Sequence, residues 1–422
     1  MLPRIISAIG ATLSSDEIDA VARVVPPRKG QSRGVYHVVD ELTGVLVEYH
    51  AYKYTAYTTP GNIIGGYADN GTSGSTSAFK FAGAKLFDFG FMGTGNVAAI
   101  FGLSNKGKTA VGAATPSSGA QSVAVVWTKA EGFIDLGADP GFSGAAAVSN
   151  DGLVLVGWQP ANGSFRCVRT GSALPLTNTL TYLPFLPNST YSMGLAVSSD
   201  GSIVAGCAYM TSPAPRSVSN PTYHGYRWSA IDGVEDIGLP AGATYAVATG
   251  VSDDGNTIGG YWGSDPTTAM PTNPSLVALT NLSYGVEGGF RGFVWKRVAG
   301  SPDTITDIGF LPSGTFAYVT GVSGDGLTLV GYADTPSGMR AFRRTDAEGM
   351  VDLGLPAGAT AAVATAVTTD GKSITGFVVT STGRRSFIWR KQGGYVWPKI
   401  GATPDRDILP AGTYSLATCI AN

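Results

Sequence analysis

The sequence predicts an all-β fold: a seven-bladed β-propeller with strand-exchange closure over residues 60–422, carried on a small N-terminal helix/hairpin arm, residues 1–59. Three observations predict it. A ten-residue unit, clearest as VSDDGNTIGG at 251–260, recurs along the chain. The glycines of its turn stand at 107, 152, 201, 255, 326 and 371, and the shortest spacing, 45 residues, occurs twice. The final residues, ATCIAN at 417–422, stop where such a unit should turn.

Each copy is an apolar residue, a polar run centred on Asp-Gly or its like, and a second apolar run ending in Gly. Asp-Gly between alternating apolar runs signals a hairpin, because a tight turn needs positive φ. A period near 45 with about four strands per period is the signature of a propeller blade. The unit is clearest at 351–390. There the last strand, RRSFIWRK, alternates strictly, with Phe387 and Trp389 on one face. Phe293 and Trp295, Tyr226 and Trp228, and Phe79 and Phe81 repeat the pattern, which marks a strand packing on a neighbouring blade. The strand before it carries a glycine in every copy: Gly66, Gly112, Gly157, Gly206, Gly260, Gly331 and Gly376. Glycine weakens a strand unless space is needed, so either an adjacent blade approaches closely or a bulge sits there.

The unfinished C-terminal unit finds its continuation at the start of the repeat region. GNIIGGYAD at 61–69 matches GNTIGGYWG at 255–263, and SAFKF at 77–81 supplies the aromatic strand. The end of the chain and residues 61–81 therefore belong to one blade, the seventh. Joining them removes the unpaired edge that an open ring would expose.

Residues 1–59 match nothing in the repeat. Ser14 and Glu17 have the spacing of a capping box. Ile18, Val21, Ala22 and Val25 follow on one helical face, and Pro26-Pro27 end the helix. Two β-like runs at 34–40 and 45–57, separated by Glu41-Leu-Thr-Gly44, form a hairpin. An isolated hairpin is marginal in water, so the arm is expected to dock on something.

Composition narrows the classes. Gly accounts for 59 of 422 residues and charged residues for only 14%, against a typical ~25%. The profile is turn-dense. A formal net charge of −2 gives no field for a nucleic-acid backbone or an anionic membrane. The apolar runs are far shorter than the ~20 residues of a membrane helix. No signal peptide is read at the N-terminus. Cys167, Cys207 and Cys419 lack metal-ligand spacing and replace small or apolar residues of the repeat, so they are read as buried free thiols.

The pattern D-[LI]-G-x-L-P-x-G, then A-x-x-[VI]-S-x-D-G-x-x-[VI]-x-G, then A-F-x-W, resembles the HAF-repeat family of bacterial extracellular repeat proteins over roughly residues 61–422. In strand order it is also similar to WD repeats, without their His or Trp-Asp signature. The resemblance implies a propeller, often surface-exposed, with no catalytic residues to carry over. Such repeats usually follow a secretion signal, whereas here the arm stands in that place.

Candidate chemistry is sparse. Asp88, Asp135, Asp236, Asp307, Asp352 and Asp407 share one repeat position. A ring of carboxylates can bind a cation or move protons, but recurrence in blade after blade reads as loops fixed by hydrogen bonds to backbone amides. Asp151, Asp200, Asp254, Asp325 and Asp370 precede the turn glycines and are read as turn residues. His37, His50 and His224 are scattered, and no HExxH, GxSxG or Walker loop is present. The chain is therefore expected to be no enzyme, with no cofactor and no metal. Two long insertions, roughly 207–225 and 262–290, join the strands on either side of them at the end that also carries the Leu-Pro-Ala-Gly loops (239–242, 355–358). Loops on a rigid scaffold concentrate binding residues. Tyr209, Trp262 and Tyr284 are the aromatics expected to stack on a sugar or pack on a protein.

The expected function is a structural and binding propeller of a larger surface assembly. A phage virion component (tail, fibre or capsid decoration) comes first, attached to other proteins of the assembly through residues 1–59 and facing a cell-surface glycan or protein with its opposite face. The alternatives are a bacterial cell-surface or secreted glycan- or protein-binding propeller, and an enzyme using the central channel. Neither nucleic acid nor membrane is expected as a partner, and the expected location is the virion or the extracellular surface.

Overall fold

The computed structural model describes residues 34–39, 46–51, 63–69, 75–82, 85–118, 120–138, 142–210, 222–264, 290–381, 383–396 and 415–421. The expected helix over 14–25 and Asp407 lie outside them. The chain divides into two compact units, 1–57 with 399–406, and 58–398 with 407–422. In the first, Gly34–Val39 pairs antiparallel with Leu46–Ala51, Val39 opposite Leu46. This is the hairpin that the sequence predicts.

The second unit is a seven-bladed β-propeller. Seven four-stranded antiparallel sheets follow one another, each running from an inner strand outwards. Blade 1 is the composite one: its inner strand is Ser415–Ala421, followed by Ile63–Asp69, Thr76–Ala82 and Lys85–Asp88. Ile64 lies opposite Ile420 and Gly66 opposite Ala417, so the ring closes as predicted. Blades 2 to 7 are contiguous in sequence, with inner strands Ala98–Leu103, Gly144–Val148, Ser189–Val197, Tyr245–Val251, Ala317–Val322 and Ala359–Val367.

Every inner strand carries a bulge at the same place. The residue left unpaired is Thr418 in blade 1, then Phe101, Ala146, Leu195, Thr249, Thr320 and Thr365. A bulge bends its strand and raises its twist, and here it pushes a carbonyl towards the second strand. That carbonyl explains the repeated glycine. A Cβ on Gly260 would stand 2.0 Å from the Val247 oxygen, and one on Gly331 or Gly376 1.9 Å from the oxygen of Tyr318 or Val363. Of the two readings left open by the sequence, the bulge is the one that holds.

The bulged threonines latch blades together. Thr249 Oγ1 donates to the Val319 carbonyl of the next blade at 2.8 Å, Thr320 to Ala364 at 2.9 Å and Thr365 to Ala417 at 2.9 Å. Thr418 donates to Ile100 across the closure. Phe101, Ala146 and Leu195 provide no such hydroxyl, so the latch covers one contiguous arc of the ring.

The Asp-Gly turns share one construction. Ser252 Oγ donates to Asp254 Oδ1 at 2.6 Å, and the same carboxylate oxygen accepts from Asn256 N at 2.9 Å. Ser149–Asp151, Ser198–Asp200, Ser323–Asp325 and Thr368–Asp370 repeat it. The turn glycine has φ of +68° at Gly255, and its missing Cβ leaves room for Ile203 of the preceding blade. Glycine is thus required for conformation and for space. Burial raises the carboxyl affinity of Asp200, Asp254 and Asp370 for a proton, but the serine or threonine hydroxyl and the backbone amides outweigh it and hold each below the usual carboxylate range.

Outer strands are joined by ions as well. Arg169, buried in the third strand of blade 3, pairs with Glu131 of blade 2 at 2.7 Å, the side chains only 1% and 4% exposed. Asn178, Thr128 and the Leu176 amide complete the set of partners. Removing one member of a buried pair strands the other charge, at a cost of about 3 kcal/mol or more. Glu131→Ala is therefore expected to lower the stability by that amount, whereas Lys391→Ala, whose side chain is 53% exposed in its pair with Glu348, should move it little. Equal effects in a urea titration would contradict the assignment.

All three cysteines are buried and free. Burial pushes their thiols up, to about 11 for Cys167 and about 12 for Cys207 and Cys419, which keeps them protonated and unreactive.

Candidate functional site

Antiparallel strands put successive connections at alternate ends of a blade. The Asp-Gly turns stand at one end. The connections from second to third strand, and from each outer strand into the next inner strand, stand at the other. Loop anchors at that second end are the shared aspartates. Asp236 Oδ1 accepts from Gly238 N and Asp352 Oδ1 from Gly354 N, at 2.8 and 2.7 Å. Asp88, Asp135 and Asp307 repeat the bond with Gly90, Gly137 and Gly309. Each such glycine has positive φ, +80° at Gly238. These carboxylates hold loops, as the pattern implied. Among the described residues, no three His, Cys, Asp or Glu side chains gather as a metal site.

In blades 4, 5 and 6 the second oxygen of the aspartate meets a nitrogen-bearing side chain from the third strand. His224 Nδ1 lies 2.7 Å from Asp236 Oδ2, Arg291 pairs with Asp307, and Arg340 Nε lies 3.7 Å from Asp352. The sequence placed His224 among scattered histidines. Its spacing two residues before Tyr226, matching Arg291 before Phe293 and Arg340 before Phe342, is the signal that reveals this row.

Tyr209 lies near the loop end of the second strand of blade 4, Ile203–Met210. Tyr191 of the inner strand is its partner on one side, and Tyr223 of the third strand on the other. Direct cross-strand partners share a face. Three half-buried tyrosines therefore form one row across the blade, with Tyr209 edge-on to Tyr223 at 5.6 Å. Burial raises the Tyr223 hydroxyl to about 12 and the Tyr191 hydroxyl further, so both remain neutral hydrogen-bonding groups. The sequence reading singled out neither Tyr191, which lies outside the insertions, nor Tyr223, which lies within 207–225.

Trp262 is placed differently. It belongs to the strand Thr257–Gly263, is 6% exposed, and carries the Arg291 guanidinium over its ring at 5.4 Å. Arg291 also covers Phe310 at 4.3 Å. The strand runs further than expected, because it is buried on both faces between blades and shows no alternation to mark its end. Tyr284 lies outside the described residues.

Towards the axis, Tyr261, Tyr318 and Tyr332 stack with ring centres 4.0 and 5.0 Å apart. They belong to a buried cluster that includes Tyr67, Trp158 and Phe377 and so draws on blades around the ring. Beyond it, at the Asp-Gly end of the inner strands, lies an axial cavity of about 280 Å³.

No protein-family model matches the chain, and no curated protein matches it. Solved structures do. The tricorn protease is 10% identical at a TM-score of 0.49, over 87% of this chain and 38% of its own. The β-propeller domain of the Trilobed protease from Pyrococcus furiosus is 11% identical at 0.49, over 80% and 94%. TolB from Acinetobacter baumannii is 10% identical at 0.41, over 91% and 81%. This chain thus spans well under half of the tricorn protease. Two of these neighbours carry the name of protease, which overturns the expectation that the chain is no enzyme: missing motifs do not exclude catalysis in a propeller-bearing protein, and the exclusion is withdrawn. At such identities the likeness is one of fold and assigns no activity.

Proposed function

We propose that the chain is a binding propeller that engages its partner at the loop-bearing end of blade 4, over Tyr191, Tyr209 and Tyr223. The tyrosine row carries the reading. Tyrosine offers a rigid apolar body with a polar tip, which suits a wet recognition surface, and these three are neither fully buried nor scattered. The partner is a cell-surface glycan or protein. In the finer form of the proposal the propeller is part of a larger surface assembly such as a phage virion, held there through residues 1–59. The HAF-like repeat, in a family often exposed at surfaces, supports that placement.

Labelled full-length protein should bind bacterial envelopes saturably, and the triple substitution Tyr191→Ala, Tyr209→Ala, Tyr223→Ala should weaken binding at least ~10-fold, the loss of a small cluster of aromatic anchors. Saturable binding unaffected by the triple substitution would end this reading. Co-sedimentation with virus particles, against recovery in an envelope fraction, separates the virion from the cell surface.

A further inference from the structure

At the end opposite the tyrosine row, the axial cavity of about 280 Å³ is framed by the last residues of the inner strands, from Phe101–Leu103 round to Thr418–Ile420. It lies where those strands lead into the Asp-Gly turns, and Tyr318 and Tyr332 bound it on the inner side. Its wall has two characters. One arc presents Phe101, Ala146 and Leu195; the other presents Thr249, Thr320, Thr365 and Thr418. The threonine protons go to main-chain carbonyls, which leaves hydroxyl lone pairs as acceptors. Among the described residues, no Asp, Glu, Lys, Arg or His lines the cavity, so a charged guest would lose part of its water with no counter-charge. The volume is near the lower bound of small-molecule sites, about 300 Å³.

We infer that this cavity is a binding site for a small neutral molecule, largely apolar, with a single hydrogen-bond donor directed at the threonine arc. Such a guest places its apolar side against Phe101 and Leu195 and its donor against a hydroxyl that cannot donate back. The site is independent of the loop end and of whatever binds there.

The probe is p-cresol, titrated calorimetrically into the full-length chain, with 4-methylanisole, tyramine and 4-hydroxyphenylacetate as comparisons. Binding of p-cresol is expected, weaker by several-fold for the ether and absent for both ions. Ala146→Phe fills the cavity with the residue that blade 2 already carries at this bulge, so the fold should keep its melting temperature while p-cresol affinity falls at least tenfold. Leu195→Ala copies the residue of blade 3; it should retain p-cresol and admit 2-naphthol several-fold better than the parent chain does. Should Ala146→Phe fail to fold, the Leu195→Ala size preference still decides. Absence of p-cresol binding to the parent, equal binding of the ions, or a filled or enlarged cavity that leaves every affinity unchanged would overturn the assignment.

Discussion

Deletion of residues 415–422 is expected to abolish the cooperative unfolding transition of the whole propeller. The loss is the inner strand of blade 1, not a frayed end. Ala417, Cys419 and Ile420 are buried, and the strand pairs along Ile63–Ala68. Blade 7 loses the acceptor of its Thr365 latch and blade 2 loses the Thr418 donor. Both neighbouring sheets would expose a face at once, and the damage is comparable with the ~5–15 kcal/mol that holds a folded domain together. Calorimetry with near-ultraviolet circular dichroism checks it. A truncated chain that melts at the parent temperature would refute the closed ring.

Gly260→Ala is expected to cost more than ~4 kcal/mol, a loss reserved for a few structural mechanisms, and to lower the melting temperature by roughly 5 °C. The new methyl would sit 2.0 Å from a main-chain oxygen and 2.7 Å from the Phe293 ring. A side chain can rotate away, but the oxygen is fixed by the bulge, which the strand cannot lose without a register shift. Gly393→Ala, with nothing within 4 Å and no positive φ, is the matched control and should be near neutral. Parity between the two in thermal melts would mean that the glycine position answers to something other than the bulge.

The reach of the sequence ended at particular atoms. Blade number and closure were legible because repetition is a property of the string itself: residues 61–69 copy 255–263, and the pairing of Ile64 with Ile420 follows. The Asp-Gly turns and loop-holding aspartates were legible for the same reason. The bulge was not, since an extra residue in one strand leaves no gap in the sequence, only a glycine whose neighbour is unnamed. Trp262 misled because a strand covered on both faces has no polar face to alternate with. The tyrosine row escaped because Tyr191, Tyr209 and Tyr223 come from three strands and meet only through register. The axial cavity exists only after seven strands converge.

The composite first blade also constrains how the molecule is made. Ile63–Asp69 leaves the ribosome roughly 350 residues ahead of the strand that covers its inner edge, on the order of tens of seconds at ordinary rates of translation. Throughout that interval the nascent chain presents an unsatisfied strand edge, the kind that recruits foreign strands. Residues 415–421 are therefore the lock on the sheet begun at Ile63, and any stall in synthesis between the two leaves a sticky, unsealed intermediate.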